Sequence, residues 1–264
     1  MSDTLNTVIL GIIEGITEFL PISSTGHLLI AEQWLGERSE LFNVAIQSGA
    51  ILAIVLIYWR RLLNLLTRFE EPAHRDYLAK LTVAFLITAA GAFLATRLGW
   101  KLPESVVPVA LATLIGGILI LVIERYVAGK PASATVTWNV AFWVGLCQIL
   151  APVFPGASRS GCTIFAAMLA GLTLRPAATE FAFLVGIPTM FAATGYEFLK
   201  VRGRSAGEDW HALIIGFVVS LVVAFIAVKW LLRYVQSHRF TIFAWYRIVL
   251  GSILLALVMQ GALR

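Results

Sequence analysis

Apolar runs recur from one end of the chain to the other, at about 5–20, 24–36, 42–66, 78–99, 105–124, 138–151, 160–174, 178–199, 211–234 and 241–263. A helix needs about 20 apolar residues to cross the hydrocarbon core of a bilayer, and only helices and closed barrels satisfy their backbone there. These runs are continuous rather than alternating, which argues against a barrel. Only 13% of the residues are charged, about half the fraction usual in a soluble domain. The chain therefore reads as an all-α polytopic membrane protein. Its net charge of +5 lies in short loops between runs, where it sets topology; it does not point to nucleic acid. The start, Met1-Ser2-Asp3-Thr4, lacks a basic segment, and the run that follows carries two glutamates, so no cleaved signal peptide is expected. Cys147 and Cys162 have apolar surroundings and no CxxC spacing, and read as buried thiols.

Four runs are short: the first two, and those at about 138–151 and 160–174. Each short pair is split by a proline break, at Pro21 and at Pro152/Pro155. Paired interrupted segments in two halves of a membrane protein point to re-entrant helices around a binding site. The breaks align without gaps: Gly11 on Gly145, Glu14 on Gln148, Pro21 on Pro155 and Ser24 on Ser158. Each half then reads as one re-entrant hairpin followed by about three spans. A hairpin returns to its own side and three spans cross over, so the halves are inverted. The expected architecture is a single integral membrane domain, 1–264, of about six transmembrane helices plus two re-entrant hairpins, with a first repeat over 1–128 and an inverted second repeat over 132–264.

Loop charges suggest an orientation. Arg60, Arg61, Arg68, Arg75, Lys80, Arg125, Lys130, Arg175, Lys229, Arg233 and Arg239 fall on one side; Arg38, Arg97, Lys101, Lys200, Arg202, Arg204 and Arg264 fall on the other. Eleven against seven makes the first side cytoplasmic and puts both termini outside. Arg159 and Arg247 lie inside segments and are left out of this count.

The chemistry concentrates in the two breaks. The first reads Glu14-Gly15-Ile16-Thr17-Glu18-Phe19-Leu20-Pro21-Ile22-Ser23-Ser24-Thr25-Gly26-His27. A charge at the bilayer centre costs about 2.5–3.5 kcal/mol on insertion scales, so Glu14 and Glu18 together stand at about 5–7 kcal/mol. A proton, a cation, a partner or a wet cavity has to offset that. The two are four residues apart, on one helix face, and repel unless one is protonated or a cation sits between them. Hard divalent ions take carboxylate oxygens and share them with phosphates, so Glu14 and Glu18 are the expected ligands of a Mg²⁺ or Ca²⁺ ion. Ser23, Ser24 and Thr25 open a half-helix whose free N–H groups form an anion site. Ser24 and His27 share a face, which suits a hydroxyl nucleophile beside a base or a histidine protonating a leaving oxygen.

The second break, Pro155-Gly156-Ala157-Ser158-Arg159-Ser160-Gly161-Cys162-Thr163, opens another half-helix with hydroxyls and adds Arg159, a planar donor fork for phosphate oxygens. In an inverted repeat the two helix starts face each other, and a diphosphate is the anion that fits. Ser23, Thr25, Ser158, Ser160, Thr163 and Gln47 are the expected substrate-binding residues, with Glu180 and Gln47 as outer polar groups. Whether Arg159 meets the glutamates directly or through a metal stays open, as does the nucleophile: Ser24, His27 or water.

These two motifs make the chain resemble the bacterial undecaprenyl-diphosphatase (bacitracin-resistance) family, and the pattern of segments fits over the whole length. The resemblance implies hydrolysis of undecaprenyl diphosphate to undecaprenyl phosphate, which recycles the carrier lipid for peptidoglycan and other envelope polymers. It implies catalytic roles for Glu14, Glu18, Ser24, His27 and Arg159, dependence on a divalent cation, and a site in the bacterial inner membrane reached from the periplasm. The implied partners are a polyprenyl diphosphate lipid and membrane lipids, with room for a homodimer. The rival reading is a transporter or flippase for the lipid phosphate, since inverted repeats with midplane half-helices also build transporters.

Overall fold

The computed structural model describes residues 3–98, 106–201 and 208–261; Lys101, Arg202, Arg204 and Arg264 of the loop-charge count lie outside them. The described residues form helices and no strand: α1 (Asp3–Thr17), α2 (Ser24–Leu35), α3 (Glu40–Thr67), α4 (Pro72–Arg97), α5 (Val106–Val127), α6 (Trp138–Gln148), α7 (Leu150–Val153), α8 (Arg159–Leu169), α9 (Arg175–Val201), α10 (Trp210–Ser237) and α11 (Thr241–Met259). Six of them, α3, α4, α5, α9, α10 and α11, are long and apolar enough to cross a membrane. Every expected apolar run has its helix. The largest shift is at α4, which starts at Pro72, ahead of its apolar run. Proline suits the first helical position because its missing N–H has no partner there in any case.

Side-chain caps set several other starts. Ser39 Oγ accepts from Phe42 N at 3.1 Å, Thr137 Oγ1 from Val140 N at 3.3 Å, and Asp209 from the N–H groups of His211 and Ala212. Each satisfies donors that the first helical turn leaves orphaned.

Both broken pairs fold back on themselves. Asn6 Nδ2 donates to Leu35 O at 2.9 Å and Arg38 pairs with Asp3 at 2.7 Å, so the start of α1 meets the end of α2. Asn139 Nδ2 reaches Ala170 O at 3.3 Å, which does the same for α6 and α8. The first hairpin opens where α3 begins. The second opens where α9 begins, and there Glu180 of α9 pairs with Arg61, near the far end of α3, at 3.1 Å. The hairpins thus enter the bundle from opposite ends and bring their tips, Pro21 and Pro155, inward.

The packing repeats with partners exchanged: α1 lies on α10, and α6 lies on α4. The glycines aligned from the sequence make both contacts. A Cβ on Gly11 would stand 3.0 Å from Gly216 O of α10, and one on Gly145 would stand 2.6 Å from Ala84 O of α4. Small residues at such crossings let backbones approach closely where lipid offers no hydrophobic drive. Between the hairpin tips the core is aromatic and aliphatic, with Phe19, Ile164, Met168, Phe181 and Phe183 buried and Phe19 edge-on to Phe183 at 5.2 Å. The outer faces remain apolar: α5 exposes Leu111, Ile115, Ile118, Leu119 and Val122.

Candidate active site

Among the described residues, Ser23 (φ 75°) and Ser158 (φ 69°) are the only non-glycines with positive φ. Each caps a half-helix. Ser23 Oγ accepts from Gly26 N at 3.4 Å, and Ser158 Oγ from Gly161 N at 3.2 Å. Ser23 is therefore the counterpart of Ser158, and Ser24 that of Arg159. The ungapped alignment, which sets Ser24 on Ser158, is corrected by one residue. Two residues, Gly156 and Ala157, separate proline from cap in the second break, where Ile22 alone does in the first. A residue held in such a conformation costs about 1–3 kcal/mol and persists only where its surroundings over-determine it.

Arg247 supplies that constraint. It is 1% exposed and donates to Pro21 O at 3.1 Å, Gly156 O at 2.9 Å and Ala157 O at 3.2 Å. It also donates to Ala112 O at 3.0 Å and Thr113 O at 3.2 Å of α5. One guanidinium thus satisfies carbonyls from both breaks, which a short loop in a membrane cannot leave unpaired. Ser160 Oγ adds a bond to Leu20 O at 2.9 Å, a second tie between the breaks. The sequence reading set Arg247 aside as an arginine within a span. The signal that singled out the glutamates, a charge in an apolar run, applies to it equally.

The charged centre spans both hairpins. Arg159 Nη2 donates to Glu18 Oε1 at 2.8 Å, and Ser24 Oγ donates to Glu18 Oε2. Arg159 therefore meets a glutamate directly. Its Nη1 is buried with no acceptor among the described residues and rests on Gly186, where a Cβ would stand 2.5 Å away. Glu14 is 2% exposed and lies against Glu18; its Oε2 has no hydrogen-bond partner among the described residues. Glu18, Ser24 and Arg159 border a cavity of about 260 Å³; Glu14 and Gly186 lie behind its lining. Its lining includes Glu18, Ser23, Ser24, Thr25, Ser158 and Arg159, together with Gln47, Thr88, Gln148 and Thr189. Gln47 Oε1 accepts from Thr194 at 3.2 Å.

Four expected residues sit elsewhere. His27 does not bond Ser24: its Nδ1 lies 2.6 Å from Ser23 O, and its Nε2 lies 2.6 Å from Tyr246 Oη. A carbonyl only accepts, so Nδ1 carries the proton and Nε2 takes the tyrosine hydrogen. Ser160 is committed to Leu20 O, and Thr163 Oγ1 to Arg159 O and Ser160 O; neither borders the cavity. Glu180 pairs with Arg61, away from the cavity. Sequence reasoning missed Tyr246, Gly186, Arg247 and the Thr88–Gln148–Thr189 wall. Tyr246 and Gly186 carry no local signal, because they act through long-range packing.

No group of three or more His, Cys, Asp or Glu side chains forms a metal cluster among the described residues. Glu14 and Glu18 still fit a hard cation of the kind that keeps one or two carboxylates and shares the rest of its shell with phosphate and water. The buried Oε2 of Glu14, unpaired among the described residues, is the atom such a cation would take.

The sequence matches the family described as Bacitracin resistance protein BacA over residues 7–253. Relatives named undecaprenyl-diphosphatase include one from Rhizobium etli, 62% identical over 261 residues with 98% of each chain covered. Others come from Xanthomonas euvesicatoria pv. vesicatoria, 54% identical over 257 residues with 97% of each chain covered, and from Xanthomonas oryzae pv. oryzae, 56% identical over 258 residues with 97% of each covered.

Proposed function

The chain belongs to the BacA bacitracin-resistance family, and from that premise we propose the function its cavity supports best: hydrolysis of undecaprenyl diphosphate to undecaprenyl phosphate and inorganic phosphate. It is a multi-pass membrane enzyme that recycles the carrier lipid. The observation that carries this reading is the chain Arg159–Glu18–Ser24, which joins a phosphate-binding fork, a carboxylate base and a hydroxyl at the facing starts of α2 and α8.

The mechanism follows from those contacts. The free Nη1 of Arg159 and the first N–H groups of α2 and α8 take the terminal phosphate oxygens. They stabilise charge as it spreads over the transferring group. Glu18 accepts the Ser24 proton, Ser24 Oγ bonds to the terminal phosphorus, and the bridging P–O bond breaks. Undecaprenyl phosphate leaves, taking from Glu18 the proton that came from Ser24, and Glu18 is a carboxylate again. In the second step a water oxygen bonds to phosphorus and the Oγ–P bond breaks. Glu18 passes the proton it takes from water to Ser24, and inorganic phosphate is released. His27 acts as a positioning residue: through Ser23 O and Tyr246 it fixes the turn that presents Ser24. A Mg²⁺ or Ca²⁺ ion held by Glu14 and Glu18 would neutralise phosphate charge.

The exchanged packing of α1 on α10 and α6 on α4 supports two inverted repeats, with both hairpins re-entrant. The loop-charge bias supports a plasma-membrane orientation with both termini and the cavity mouth on the periplasmic side. The transporter reading lacks a use for Ser24 bound to a carboxylate. The test is phosphate release from undecaprenyl and short-chain prenyl diphosphates by purified protein in detergent, with and without a chelator. Release that stops in Arg159→Ala and Ser24→Ala is expected. Binding without release would overturn the phosphatase reading in favour of transport.

A further inference from the structure

Gln148 is 1% exposed and borders the same cavity as Glu18, Ser24 and Arg159. Its Nε2 donates to Thr88 Oγ1 at 2.9 Å and to Thr189 Oγ1 at 3.0 Å. Both hydroxyls have already committed their single hydrogen. Thr88 gives its hydrogen to the carbonyls of Ala84 (3.0 Å) and Gly145 (2.9 Å), and Thr189 gives its own to Val185 O at 2.9 Å. Each hydroxyl can therefore only accept from Gln148, and the carboxamide has one orientation. Its NH₂ faces the threonines, and Oε1 is left over.

That Oε1 is buried with no donor among the described residues, an unfavourable situation even for a neutral group. It is an acceptor on a residue that lines the cavity, so a phosphate oxygen anion is the wrong ligand for it. The right ligand brings a hydrogen. Gln148 also sits close to the chemistry. Thr189 is one turn along α9 from Gly186, the residue on which the Arg159 guanidinium rests, and Arg159 leads directly to Glu18 and Ser24.

We propose that Gln148, locked by Thr88 and Thr189, is the positioning residue for the water consumed in hydrolysis: Oε1 accepts one water hydrogen while the water oxygen is turned toward phosphorus. The other hydrogen goes to Glu18 as the P–O bond to water forms and the Ser24 Oγ–P bond breaks, and the hydrogen held by Gln148 stays on the product phosphate. The inference rests on the phosphatase reading and adds to it the place from which water comes.

The test is steady-state kinetics of the purified Gln148→Leu protein on undecaprenyl diphosphate, beside wild-type protein whose phosphate release independently establishes the reading itself. Loss of one neutral hydrogen bond used in the transition state lowers kcat about tenfold. kcat/KM and the inhibition constant for inorganic phosphate should stay within about twofold, because water enters only after undecaprenyl phosphate has left and KM falls together with kcat. Gln148→Met, unbranched and of similar length, should give the same pattern and serves if the leucine variant is misfolded by gel filtration. An unchanged kcat with wild-type KM overturns the proposal. So does a raised KM with unchanged kcat, which would assign Oε1 to a protonated phosphate oxygen of the substrate.

Discussion

Arg159 Nη2 and Glu18 Oε1 stand 2.8 Å apart, and that one contact joins the second chain break to the first. It gives Glu18 the cation that a buried carboxylate requires. It also leaves the second nitrogen of the fork, Nη1, with no acceptor among the described residues. A lysine in this place would offer one point charge in place of two donors in a plane. Arg159→Lys should therefore lower turnover about a hundredfold or more while the thermal midpoint stays near wild type. Phosphate-release kinetics and thermal unfolding in detergent check the two halves of this expectation.

Gly186 offers a route to the same arginine without touching its charge. A Cβ there would stand 2.5 Å from Arg159 Nη1, so Gly186→Ala must push the guanidinium aside. The far end of a flexible side chain moves at little energetic cost, so the fold should hold. Displacement by about 1 Å is enough to reduce turnover about a hundredfold. A wild-type rate in a folded Gly186→Ala protein would show that the placement of the fork is not critical.

The positive φ of Ser23 separates two effects of substitution. Ser23→Ala loses the cap bond, at about 0.5–2 kcal/mol, and keeps the strained backbone. Ser23→Gly loses only a few tenths of a kcal/mol at the cap and relieves the strain. The glycine variant should therefore melt at the higher temperature of the two. The same order is expected for Ser158→Gly and Ser158→Ala.

Most of the fold was legible in the sequence because the bilayer permits so few solutions. The six spans, both broken pairs and the two motifs all follow from apolar run length, proline and stranded charge. What was not legible depends on rotation about individual helices. Ser24 and His27 share a face in sequence, yet the left-handed cap at Ser23 turns Ser24 toward Glu18 and draws His27 to Ser23 O and Tyr246. Ser160 and Thr163 read as anion-binding hydroxyls, but in a buried half-helix the nearest unsatisfied carbonyls claim them first. Arg247 was visible as a charge, and its role was not, because its five acceptors come from three separate stretches of chain.

Arg247 also makes the strongest stability prediction. Arg247→Met would leave backbone carbonyls of both breaks buried and unpaired, each costing about 1–3 kcal/mol. Relaxation will recover part of that, so a net loss of at least about 3 kcal/mol is expected. Arg247→Lys, with fewer donors in a different geometry, should recover only part of it. Thermal or denaturant unfolding in detergent measures both, and a Met variant as stable as wild type would remove Arg247 from the account.

In the proposed mechanism Ser24, held by Glu18, is the group that takes the phosphate. The most direct measurement is rapid quench of the purified enzyme with undecaprenyl diphosphate labelled in its terminal phosphate, followed by mapping of protein-bound label. Label on Ser24, absent from Glu18→Gln and Ser24→Ala proteins, is the predicted result. Label on His27, or turnover with no label on any residue, would contradict it.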